Sequence, residues 1–111
     1  MQTQIQQIIQ YTEQQITTFQ RAECRFIASR FKRILESLTT LEHLSKYQPL
    51  APQTIPMYGS LIDEIKSAYH HLRVYGEDFE ERIRRYHHFT SEMEMLISQA
   101  MYRFRQSDNR L

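Results

Sequence analysis

The stretch "RIRRYHHF", residues 82–89, places Arg82, Arg84, Arg85, His87 and His88 within eight positions. An imidazole that titrates near neutrality can move protons or ligate a metal. A guanidinium pairs bidentately with a phosphate or carboxylate. Metal binding, RNA chemistry and phosphate binding are therefore the chemistries to test. Read as a helix, the stretch turns His88 outward and His87 to a flank. Glu80 and Glu81 precede Arg84 and Arg85 by four residues, and such pairs stabilise a helix by about 0.2–0.5 kcal/mol each. A solvated helix face accounts for most of the cluster.

A second histidine pair, His70 and His71, precedes the first, and His70 is the member that could approach His87. Structural zinc takes four protein ligands and catalytic zinc three. Neither Glu-x-x-His nor His-Glu-x-x-His occurs, so the sequence leads to no expected metal or other cofactor. Arg82 and His87, with four residues between them, resemble the short Arg-x4-His signature of HEPN-type ribonucleases. That resemblance implies an RNA-cleaving site shared by paired protomers, with Arg82 stabilising phosphate charge and His87 moving protons. The match covers six residues, and Ile83 stands where the family commonly has a polar residue. On one helix the two side chains diverge by about 140°. A catalytic pair Arg82–His87 is the alternative expectation, and a non-enzymatic chain is the leading one.

Contact with RNA or DNA rests on Arg21, Arg25 and Lys32 along one flank of the first helix, and on the tail "RFRQSDNRL". With 14 basic and 13 acidic side chains the formal net charge is only +1, so no global field draws in a polyanion or an anionic membrane. Cys24 is the single cysteine and has no internal disulfide partner. The N-terminal "MQTQIQQIIQ" lacks the pattern of a signal peptide, and no apolar run approaches the roughly 18 residues of a membrane span. A soluble, cytoplasmic protein is expected.

The elements that carry these residues are helical. All three prolines fall in "QPLAPQTIP" and the only glycines are Gly59 and Gly76, so helix breakers are concentrated. Ile5, Ile9, Thr12, Ile16, Phe19, Glu23, Phe26 and Arg30 follow steps of four and three, a coiled-coil-like seam interrupted at Glu23 and Arg30. The spacing predicts one domain with an arm over 1–22, a first core helix over 23–46, a linker over 47–57, a second helix over 58–75 and a third over 78–107. Gly76 marks the stop before an antiparallel hairpin. Asp78, with Glu77, Glu80 and Glu81, opens the third helix.

At 1.5 Å per residue the second helix is about 27 Å long, the third about 45 Å, and an unbroken first helix more than 60 Å. No glycine, proline or asparagine lies between residues 1 and 46, which favours a continuous rod. The expected fold is all-α, a three-helix bundle whose long N-terminal helix extends into a homo-oligomer, most simply a dimer. The alternative is a four-helix up-and-down bundle. Ile5, Ile9, Ile16 and Phe19 are the expected self-association anchors. Glu81, His88, Met95 and Tyr102 recur every seven residues on the outer face of the third helix, and His88, Met95 and Tyr102 are expected to meet a protein partner. The expected function is that of a small interaction or assembly protein, acting as adaptor, inhibitor or complex subunit through helix packing.

Overall fold

The computed structural model describes residues 2–76 and 78–109. These form four helices: α1 (Gln2–Arg21), α2 (Arg25–Tyr47), α3 (Ile55–His71) and α4 (Phe79–Asn109). A 3₁₀ turn, Leu72–Tyr75, closes α3. Among the described residues there is no strand. No helix is long and apolar enough to cross a membrane among those residues. Glu77 and the tail residues Arg110 and Leu111, which entered the sequence expectations, lie outside the described residues.

The continuous rod over 1–46 is corrected: the chain reverses at Ala22–Cys24. Glu23 takes φ 59, the Cys24 amide donates to the Phe19 carbonyl (2.8 Å), and the Glu23 amide to that of Gln20 (3.1 Å). This is the bond pattern of a Schellman stop, with a glutamate where glycine is usual. A left-handed residue bearing a Cβ costs about 1–2 kcal/mol. Folding back buries Ile5, Ile8 and Ile16, each contributing about 1.5–3 kcal/mol. Burial therefore outweighs the strained turn. Ile5 and Ile16 lie in the chain's own core, with Ile9 and Phe19 half-buried against it. The exposed stripe on which arm-mediated self-association was expected is thus covered from within.

Successive helices pack on one another, and α1 also touches α4. Tyr86 of α4 is the junction. Its ring is fully buried and meets Tyr11 of α1 at 5.7 Å, Phe31 of α2 at 6.2 Å and Tyr69 of α3 at 6.5 Å. Phe19 stacks between Phe31 and Phe79, at 5.6 and 5.5 Å. Pairs such as Phe19–Phe79, Gln15–Arg82 and Thr12–Tyr86 show that α1 and α4 run antiparallel.

The α3–α4 hairpin forms as expected. Gly76 has φ 120, a conformation that an L side chain strains to adopt. Arg73–Glu80, Tyr69–His87 and Lys66–Glu94 pair in antiparallel order. Between α2 and α3, Thr54 Oγ1 accepts from the Ala51 amide (2.9 Å), and the Tyr58 hydroxyl donates to the Gln48 carbonyl (2.8 Å). Those bonds fix the proline-rich linker. At the end of α4, Ala100 is buried and Phe104 half-buried, while Met101 stays exposed.

Candidate functional site

The side chains of "RIRRYHHF" are divided among three surroundings. Arg82 points at α1, where its Nη1 donates to Gln15 Oε1 and its guanidinium sits 5.0 Å from the Phe19 ring centre. His87 turns the other way, its Nδ1 3.4 Å from the Tyr69 hydroxyl on α3. The Arg-x4-His spacing therefore does not bring its two residues together within one chain. Between them Tyr86 enters the core. The residue at the centre of the motif is a packing residue.

Arg85 lies over the Tyr11 ring at 4.5 Å. Its expected pairing with Glu81, and that of Arg84 with Glu80, is corrected. Among the described residues the ion pairs do not include Arg84 or Arg85, and Glu80 approaches Arg73 at 3.9 Å. The flat guanidinium gains more from the aromatic face beside it than from a solvated carboxylate one turn away. Tyr11, Arg85 and His88 are shared by two clefts along the α1–α4 seam. One, of about 230 Å³, is floored by Ile8 and Phe89; the other, of about 560 Å³, is edged by Arg82, Arg84 and Glu81. Burial pushes the Tyr11 phenol above its ordinary value, against the lowering pull of Arg85 and Arg82. Arg82, Arg84, Arg85 and His88 line the two clefts together with the carboxylates of Glu81 and Glu92, so cationic or ionisable nitrogen groups outnumber acidic ones there.

On the opposite flank, Tyr69 lies 4.5 Å from His70 and 6.5 Å from His87, ring centre to ring centre. Burial lowers the His70 pKa, and Arg73, Lys66, His87 and His71 add to the effect. Among the described residues no group of three or more His, Cys, Asp or Glu is placed to hold a metal. His88 is exposed and bonds to Glu92 at 3.0 Å.

Of the other expected site residues, Arg25 and Lys32 share a cleft with Glu23 at the α1–α2 turn, and Arg21 is exposed in the last turn of α1. Met95 and Tyr102 are exposed at 60% and 65%. Phe26 and Val74, at 80% and 81%, are exposed nearer the other end of the molecule. No protein-family model, curated protein or solved structure matches this chain.

The Tyr11–Arg85 stack and the Gln15–Arg82 bond escaped sequence reading because they join residues more than sixty positions apart. One signal pointed towards them. Thr12 lies on the first helix's apolar seam, and Tyr86 recurs at helical spacing with Ile83, Phe89 and Met93, which places polar groups in a core where they need partners.

Proposed function

We propose that this protein is a small helical assembly component, a four-helix bundle that works by presenting the outer face of α4 to another protein. The single observation that carries the reading is the pair Met95 and Tyr102. They lie one heptad apart on α4, are 60% and 65% exposed, and have only uncharged Ser98 and Gln99 between them on that face. Large apolar side chains on an otherwise uncharged helix face are what helix-packing interfaces use as anchors. Beside that face Glu94 binds Lys66 of α3, and His88 binds Glu92 within α4.

The native mass of the complex purified from cells tests this. The wild type is expected in an assembly heavier than the 13.5 kDa chain, and the double variant Met95→Asp/Tyr102→Arg is expected at monomer mass with unchanged helical circular dichroism. A wild type that stays at monomer mass both on recovery from cells and at high protein concentration sinks the reading.

A second reading is favoured by the α1–α4 seam, where Arg82, Arg84 and Arg85 gather without carboxylate partners among the described residues. That surface suits contact with a nucleic-acid backbone. HEPN-type cleavage would further need a histidine from a second chain beside Arg82, because His87 of the same chain faces α3.

A further inference from the structure

The α4 face carries a two-fold self-complementarity, and we infer that its partner is the α4 of a second copy, packed antiparallel about a point midway between Ser98 and Gln99. This deepens the assembly reading and rests on it.

On a helix turning about 100° per residue, Ser91, Met95, Ser98 and Tyr102 fall within about 60° of one another. All four are exposed. Ser91 and Ser98 are the small residues of this stripe, and Met95 and Tyr102 the large ones. Antiparallel pairing about the 98/99 midpoint sets Met95 level with Tyr102 of the second copy, because both are equidistant from the centre. A methionine sulfur against a tyrosine ring is a favourable contact.

The charges decide the register. Arg103 and Arg105 have no ion-pair partner among the described side chains, which on α4 run to Gln106. The nearest acidic residues upstream on α4 are Glu94 and Glu92. From Arg103 to Glu92 and from Arg105 to Glu94 is eleven residues, about 16 Å along the axis, too far to pair within one chain. The same angular rule puts Glu92 and Arg103 on one flank of the stripe, and Glu94 and Arg105 on the other. A two-fold axis through the interface keeps each flank facing itself. It therefore brings Glu92 to Arg103 and Glu94 to Arg105 of the second copy, each within about 3 Å of level along the axis. The pairing occurs twice by symmetry, giving four opposed pairs between the two α4 segments. A parallel arrangement would place glutamate against glutamate and arginine against arginine.

The paired segment is only about 20 Å long, so the interface lies at the small end and dissociates readily. Sedimentation of the full chain at high concentration is expected to show a reversible dimer. Glu92→Arg/Glu94→Arg alone, and Arg103→Glu/Arg105→Glu alone, are each expected to weaken it at least tenfold. Mixed in equal amounts, those two variants are expected to form the dimer again, because every pair across the axis is then opposite in sign. In a Cys24→Ser background, Ser98→Cys sits at the axis and is expected to form an interchain disulfide under mild oxidation. Ser91→Cys, separated from its copy by about 22 Å, is expected to form none. Each variant is checked for unchanged helical circular dichroism.

The self-pairing is overturned by a mixture that fails to associate, by a Ser91→Cys that links as readily as Ser98→Cys, or by a wild type that stays monomeric. A monomeric wild type whose cellular complex still depends on Met95 and Tyr102 would overturn the self-pairing alone. Loss of that dependence as well would remove the assembly reading.

Discussion

The Tyr86 hydroxyl of α4 lies 2.7 Å from Thr12 Oγ1 of α1, and Thr12 Oγ1 lies 2.7 Å from the Ile8 carbonyl. Thr12 has one proton, and the carbonyl can only accept. Both bonds hold together only if Tyr86 donates to Thr12 and Thr12 donates to Ile8. The two residues are fully buried, so this relay joins the first and last helices where water cannot substitute.

The direction of the relay sets an unequal response to mutation. Tyr86→Phe removes a donor but leaves Thr12 bonded to Ile8, and is expected to cost about 1 kcal/mol. Thr12→Val leaves the Tyr86 hydroxyl buried without an acceptor, and is expected to cost about 2–3 kcal/mol. Urea unfolding of both variants measures the order. Equal losses, or a larger loss for Tyr86→Phe, would reverse the assigned donor.

Burial raises the Tyr86 pKa. A group raised in the folded state contributes fully below its unfolded value, here the ordinary tyrosine value of about 10. Its contribution is lost as pH climbs above that value. Tyr11, raised by burial, acts in the same direction. Stability is therefore expected to fall from about pH 10 upward, and more gently in Tyr86→Phe. Unfolding midpoints across that range measure the difference, and identical alkaline slopes would count against it.

Glu23 holds a left-handed φ of 59 with a full side chain. Glu23→Gly is expected to stabilise the protein by about 0.5–1 kcal/mol, because relief of the strain exceeds the entropy glycine adds to the unfolded chain. Glu23→Val is expected to destabilise it by more than about 1 kcal/mol. Thermal unfolding reports both signs.

Arg84 and Arg85 edge the α1–α4 cleft while His87 faces α3. On the nucleic-acid reading, binding of single-stranded RNA, followed by fluorescence anisotropy, is expected to weaken in Arg84→Ala/Arg85→Ala. The dependence on salt should become shallower by roughly one unit per lost phosphate contact. His87→Ala is expected to leave that binding unchanged, and the isolated chain is expected not to cut RNA. Cleavage abolished by His87→Ala in a folded protein would instead establish the ribonuclease alternative.

Much of the helical framework was legible in the amino-acid order. Gly76 and the concentration of prolines in 49–56 marked the ends of α2, α3 and α4, because proline and glycine act on the backbone locally. Ile83, Tyr86, Thr90 and Met93 recur at helical steps of three and four, and all four are buried. The outward placement of His88, Met95 and Tyr102 followed from the same periodicity, and all three are exposed.

What the sequence by itself determined was therefore helix content, the α3–α4 hairpin and which face of α4 turns outward. Each follows from interactions within a few turns of the chain. The tertiary structure alone decided that the chain reverses at Glu23, that Arg85 lies on Tyr11 and not beside Glu81, and that Arg82 and His87 part company. The physical reason is common to the three. Each outcome weighs a small local preference, an unfavourable φ or a surface ion pair, against burial or stacking with residues remote in sequence. Those partners exist only once α1 has folded back against α2 and α4.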